Sequence, residues 1–213
     1  MDAGTPRGAV ISPLLSNLYL NPLDGQMSQA GFERAPDADD FVVLCRSRGE
    51  ADRALETVRG WCEANGLQLH PEKTRVVEAA QPGGFDFLGY HFERYREGRG
   101  MKWASRKSER KLRENIKPRT KRNNGHSLST IIADLNPVLR GWFEYSKHAK
   151  ENTFVSLDGW VRGRLRGILR KRRKGKGRAR GSDHQRWPNA YFAEAGLFSM
   201  LEAQRRLRQP ALR

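Results

Sequence analysis

A chain of 213 residues with 37% apolar and 30% charged side chains is long enough for one sizeable domain or two small ones, with parts that must stay in water. Its net charge of +16 is divided unevenly, with 10 basic against 15 acidic residues up to Gly98 and 30 against 9 from Arg99 onward, which suits a polyanionic partner for the second half. Cys45 and Cys62 exclude a disulfide framework and a zinc spacing, and the lack of a leader-like segment or an apolar run of about 18 residues argues against secretion and membrane insertion, so the expected location is cytoplasmic and nucleic-acid associated.

Taken in order, Ser12 and Pro13 read as the N-cap and first residue of a helix. Leu14, Leu15, Leu18 and Tyr19 follow at helical spacing. Asn21-Pro22 is expected to break or kink it, with Leu23 and Met27 continuing the apolar face. Phe41 to Cys45 is a Val-rich run of strand length. Ser47 and Glu50 match a capping box. Ala51, Ala54, Leu55, Val58 and Cys62 then keep helical spacing, and Gly66 is the expected stop. Leu67 and Leu69 alternate with polar residues like a short strand, "PEKTRVVEA" leads into another, and Phe85, Phe87 and Leu88 form one more, ending at Gly89. This order predicts an α+β arrangement, a sheet covered by helices.

Past Gly98 the character changes. Ser105 to Thr120 is dense in Lys and Arg. Leu128, Ile131, Ile132, Leu135, Leu139, Trp142 and Phe143 form a helical stripe, with an interruption expected at Asn136-Pro137. Phe154, Leu157, Trp160, Val161, Leu165, Ile168 and Leu169 form a second, so this half reads as a small helical bundle. "RKRRKGKGRARG", with eight basic residues in twelve, reads as a mobile linker. "RWPNAYF" then restores foldable sequence.

In "ADDFVVLC", Asp39 and Asp40 stand hard against an apolar run. An Asp pair is common in turns and says little by itself. Held at a hairpin tip in front of a buried strand, however, the two charges repel unless a divalent cation offsets them. Hard carboxylate oxygens suit Mg²⁺, and two such ions can stabilise the attacking and leaving oxygens of phosphoryl transfer.

"GTPRGAVISPLLSNLYLNPLD", "ADDFVVLC", "GLQLHPEKTRVV" and "FDFLGYHF" occur in this order, and together they resemble the reverse transcriptases encoded by bacterial group II introns. "DLNPVLRGWFEYSK" is similar to that family's maturase, or thumb, domain, and "HQRWPNAYFAEAGLFSML" to its usual C-terminal stretch. The resemblance implies a partial polymerase palm over 1–98, an all-α thumb/maturase bundle over 99–169, a basic linker over 170–181 and a maturase-associated segment over 182–213. It implies Asp39 and Asp40 as Mg²⁺ ligands and Lys73 as a cation beside the departing pyrophosphate. Gly4, Thr5, Pro6, Arg7 and Gly8 would form the loop beside the nucleotide and primer end, with backbone amides suited to an anion. Leu88 and Gly89 would be the turn that meets the primer backbone.

Three departures qualify that picture. The family's palm uses a third aspartate on an earlier strand, and nothing before Gly4 supplies it; Asp37 stands where the family has a tyrosine, and Arg7 where it has a glutamine. The chain is therefore expected to be the downstream part of a longer enzyme, with a separately encoded N-terminal half as a candidate partner, and to polymerise poorly alone. The partners implied are intron RNA, primer-template nucleic acid and deoxynucleotides. RNA contacts are expected from Lys107, Lys111, Lys117, Lys121, Arg140, Lys147 and Lys150, with Arg170, Lys171, Arg172 and Arg173 adding nonspecific attraction. Trp142, Phe143 and Trp160 fall on the apolar stripe and are expected in the bundle core. The five histidines lack Cys or His partners at ligand spacing, so no nuclease site is expected.

Overall fold

Helix α1 (Ser12–Gln29) starts one residue earlier than the sequence suggests. Ile11 is its N-cap, so Ser12 is already helical and offers no capping side chain. The helix also runs unbroken through Pro22. A proline inside a helix loses one hydrogen bond and crowds the preceding turn, at about 3 kcal/mol. Here Leu23 and Met27, both fully buried, lie just beyond it, and burying two such side chains recovers an amount of that order. The computed structural model describes residues 11–37, 40–78, 81–94, 100–177 and 180–209, the side chains of 13 and 34–37 excepted.

The chain divides into two compact units, 1–81 and 82–213. In the first, strands β1 (Glu33–Asp37) and β2 (Asp40–Leu44) pair antiparallel, with Asp37 opposite Asp40. Helix α2 (Arg48–Ala64) follows. Ser47 caps it by accepting from the Glu50 amide at 3.2 Å, and the Glu50 carboxylate reaches back to the Arg46 amide at 2.6 Å. Gly66 takes the left-handed conformation just past the helix end (φ 68°), as its position as a stop signal predicts. Leu20, Leu23, Met27 and Phe32 pack with Ala54, Val58 and Cys62, and Phe41 and Val43 of β2 close this small core.

Residues 67–70 and 74–78 form no strand, contrary to the sequence reading. Leu69 packs against the core by its side chain alone. Alternation predicts which side chains turn inward, but a strand also needs a neighbouring edge for its backbone, and the described sheet of this unit ends at two strands.

The second unit begins with a three-stranded antiparallel sheet, β3 (Phe85–Phe87), β4 (Tyr90–Arg94) and β5 (Gly100–Ala104), in that spatial order. The sequence reading did not anticipate β5. Tyr90 and Ala104, opposite each other, pack on the helical core. That core joins α3 (Arg106–Arg119), α4 (Leu128–Ser146) and α5 (Glu151–Arg172). Leu135, Leu139, Phe154, Leu157, Leu165 and Ile168 are fully buried in it. Helix α4 is continuous across Pro137, where an interruption was expected. Leu135 and Leu139 flank the proline on the buried side, and the Asn136 amide is occupied by the loop after α7, donating to Gly196 O and accepting from Phe198 N, both at 2.8 Å.

The basic run does not start as a linker. Arg170 to Arg172 are the last turn of α5, and the Arg170 guanidinium folds the following turn by donating to Lys176 O at 2.9 Å and to Asp183 at 2.7 Å. Three short helices complete the unit: α6 (Gly181–Arg186), α7 (Asn189–Glu194) and α8 (Met200–Arg208). Two buried side chains of α5 hold this segment. Arg166 donates to Trp187 O and to Asn189 Oδ1, both at 2.9 Å. Asp158 accepts from Ser199 Oγ and from the Met200 and Leu201 amides at 2.8–3.2 Å, capping α8.

Burial pushes the Asp158 carboxyl up, more than its hydrogen bonds and Arg162 pull it down. A carboxyl raised in the folded state binds its proton more tightly there than in the unfolded chain, so it adds stability as pH falls and removes it as pH rises. The stability of the native chain relative to Asp158→Asn should therefore increase from neutral pH down to the ordinary carboxylate range near 3.9. Urea unfolding of both proteins across that window measures it; a difference that stays flat or shrinks toward acid contradicts the assignment.

Candidate nucleic-acid interface

The β1–β2 hairpin presents Asp40 at its end. Phe41 and Val43 turn toward the helices, so Asp40, by strand alternation, projects from the opposite face, where it is exposed. Asp39 and Ala38, which join the strands, lie outside the described residues, as do Gly4, Thr5, Pro6, Arg7 and Gly8. Asp40 is a hard oxygen donor on a paired strand, but one carboxylate does not fit a divalent-ion site by itself. Among the described residues no group of three His, Cys, Asp or Glu side chains is placed to hold a metal. Lys73 is exposed in the turn after His70, its amide donating to His70 O at 3.2 Å.

Leu88 and Gly89 form the two-residue turn between β3 and β4, rather than the end of a strand. Both have positive φ, 49° and 72°, the combination a tight hairpin of this twist requires. For a leucine that conformation is strained, so something must hold it. Tyr145 of α4 supplies the restraint, its hydroxyl donating to Leu88 O at 2.8 Å. In return Tyr90 donates to Tyr145 O at 2.6 Å, with the rings stacked 6.2 Å apart. Burial pushes the Tyr90 phenol up, which keeps its hydrogen in place as the donor. Ser105 N adds a bond to Gly89 O at 2.8 Å. A Cβ on Gly89 would stand 3.0 Å from the Tyr145 ring. Gly89→Ala should thus cost about 1–2 kcal/mol, from the unfavourable backbone and the crowded ring together. Tyr145→Phe, which loses one hydrogen bond, should cost about 1 kcal/mol. Denaturant midpoints test both; a Gly89→Ala protein as stable as its parent would show that Tyr145 does not hem in this turn. Sequence marks the turn, and Tyr145 only as an aromatic suited to base stacking, but not the clamp the two tyrosines make, because Tyr145 and Leu88 are 57 positions apart.

On α3, Leu112 and Ile116 point into the core. Lys107, Lys111 and Lys117 are exposed on the outer side, and Lys121 is exposed just past the end. Arg140 is also exposed, with its guanidinium 4.5 Å from the centre of the Phe198 ring. Lys147 is paired with Glu144 at 3.0 Å, and Lys150 reaches Met101 Sδ at 3.1 Å beside the Trp103 ring. Of Arg170 to Arg173, Lys171, Arg172 and Arg173 are exposed. Arg170 is engaged with Asp183 and Lys176, and Arg172 donates to His126 O. The expected RNA contacts thus separate into an open set along α3 and a set already engaged inside the unit.

The aromatic residues fall as the apolar stripe predicts. Phe143 is buried, while Trp142 and Trp160 are half-buried against the core. Trp142 donates to Ser108 Oγ at 3.1 Å. The Trp160 ring carries two guanidinium groups, Arg113 at 4.9 Å and Arg164 at 5.5 Å. Arg164 also donates to Thr120 Oγ1 at 2.6 Å and to Thr120 O at 2.9 Å, fastening the end of α3.

Two protein families match this chain. The family described as reverse transcriptase (RNA-dependent DNA polymerase) matches residues 2–92, which take in the acidic hairpin and the Leu88–Gly89 turn. The family described as group II intron, maturase-specific domain matches residues 109–187, from within α3 to Trp187. A search of curated proteins gave no match. No helix among the described residues is long and apolar enough to cross a membrane.

Proposed function

We propose, from the premise that the chain belongs to the group II intron reverse transcriptases and maturases, that its second unit binds intron RNA as a splicing cofactor and that this binding outweighs DNA synthesis. The observation that carries the reading is the exposed line of Lys107, Lys111, Lys117 and Lys121 along α3. An ammonium is a point charge that suits phosphates without selecting a base. Arg140, Lys171 and Arg173 extend the positive surface, and Lys147 and Lys150 join it to the degree that RNA displaces their present contacts.

The palm role is assigned to 1–98, the thumb/maturase role to 99–169 and on to the end of α5 at Arg172, a linking role to the rest of 170–181 and a maturase-associated role to 182–213. In that assignment the Leu88–Gly89 turn meets primer backbone. Tyr90 and Tyr145 are positioning residues that fix the turn to α4. Asp39 and Asp40 are the carboxylates nearest the reacting phosphate, and Lys73 is the cation for the leaving pyrophosphate. Magnesium, when bound at such carboxylates, neutralises charge developing on transferring phosphoryl oxygens. The excess of 30 basic over 9 acidic residues from Arg99 onward favours binding over synthesis.

Filter binding of intron RNA across a salt series tests the first reading. With about six phosphates neutralised, affinity should fall roughly a thousandfold between 50 and 200 mM salt. Asp39→Ala with Asp40→Ala should leave it unchanged. Equal affinity for unrelated RNA of the same length would count against a specific splicing role. Primer extension on an RNA template tests the second reading, and robust synthesis abolished by Asp39→Ala would reverse the order of the two.

A further inference from the structure

Within the second unit, α5, α7 and the loop before α8 enclose a pocket of about 370 Å³, in the range of small-ligand sites, roughly 300–1,000 Å³. Phe198 forms its accessible wall, above the fully buried Phe192 ring, and Arg162, Asp158 and Glu202 are its charged groups. Both rings already carry a guanidinium, Arg140 at 4.5 Å from Phe198 and Arg166 at 5.2 Å from Phe192. Asp158 is spent on the α8 cap. Glu202 is exposed at the rim. The Arg162 Nε is buried and meets no acceptor among the described residues, and Asp158 Oδ2 lies 3.9 Å from Nη1. A buried donor of this kind is costly unless a ligand or solvent atom accepts from it.

We infer that this pocket receives one unstacked RNA base. The inference rests on the reading of the second unit as an RNA-binding surface. A flat ring with an acceptor on its edge matches the set: one face lies against Phe198, its acceptor takes the Arg162 Nε hydrogen, and its amino or imino donor meets Glu202. A free phosphate would be repelled by Asp158 and Glu202. An aliphatic side chain of a protein partner would leave Arg162 Nε unpaired. Single-stranded RNA is commonly read in this way, by splayed bases stacked on aromatic or guanidinium planes and hydrogen-bonded along an edge. Arg140 lies on the outer part of the same wall, so a phosphate next to the inserted base has a partner.

Ala190 and Ala193 of α7 line the pocket yet are exposed, so a larger side chain at either fills it without entering the core. The test compares the full chain with Ala193→Phe, and with Ala190→Phe as an independent filling variant. The probes are a single-stranded RNA of mixed sequence and the same strand made abasic throughout. Stacking of one base is worth about 1–3 kcal/mol, so filling the pocket should weaken binding of the intact strand roughly 5- to 100-fold. Affinity for the abasic strand and the melting temperature should stay unchanged. If native and filled proteins bind the intact strand equally, while both remain folded and salt-sensitive, the base pocket is overturned and the RNA surface stands. If the native chain binds neither strand, both readings fall.

Discussion

Replacing Lys107, Lys111, Lys117 and Lys121 together by glutamine is expected to weaken intron RNA binding about a thousandfold near 0.1 M salt and hardly at all near 1 M. The reasoning is counterion release. Each phosphate contact contributes about 0.7 to 0.9 to the slope of log affinity against log salt, so four contacts contribute about three. Over one decade of salt that slope amounts to about three decades of affinity. Glutamine keeps the helix propensity of lysine, so α3 should remain folded, with Leu112 and Ile116 still buried. The measurement is the salt slope of the native and substituted chains. A parallel slope with lower affinity would mean that the lysines act through structure; an unchanged affinity would move the RNA surface elsewhere. Arg170→Gln makes the contrast. Its guanidinium is engaged inside the unit with Asp183 and Lys176 O, so its loss should lower stability more than the salt slope.

The second large effect is on stability. Arg166→Ala should destabilise the second unit by about 3–5 kcal/mol. The guanidinium is 2% exposed, and it is the partner of both Trp187 O and Asn189 Oδ1 while lying on the Phe192 ring. Truncation leaves the Trp187 carbonyl buried without its donor, at about 1–3 kcal/mol. It also removes a desolvated cation–π contact of about 2 kcal/mol and opens a cavity. Arg166→Lys should recover less than half, because an ammonium cannot span two acceptors as a planar fork does. The same loss should loosen the segment after α5, which Arg166, Asp158 and the Arg170–Asp183 pair attach to that helix. Denaturant unfolding combined with limited proteolysis reads both effects; a loss below about 1 kcal/mol would mean that Phe192 and Met200 hold the segment by burial alone.

The two predictions show different kinds of residue. The lysines act because they are exposed, and composition alone signals them: 30 basic residues in the last 115 cannot all be paired with 9 acids. Arg166 sits in the same basic half and looks no different in sequence from Arg164 or Arg170. Only its burial reveals a structural bolt.

The sequence by itself determined the α+β character, the helical bundle, the α2 cap at Ser47, the stop at Gly66 and the ordered motifs that carry the family. These follow from short-range chemistry, namely side-chain period, capping groups and the freedom of glycine at positive φ. It also singled out the Leu88–Gly89 turn. Tertiary structure decided what local rules left open or had wrong. Pro22 and Pro137 stay inside helices because buried neighbours outweigh one lost hydrogen bond. Leu67 to Leu69 is not a strand because no described edge pairs with it. Trp103 joins a sheet through β5, and Arg170 turns inward to Asp183. Tyr145 clamps a turn 57 residues away. Each of these depends on partners distant along the chain, and the free energy of a contact is fixed by what the fold brings beside a residue, which its sequence neighbours do not specify.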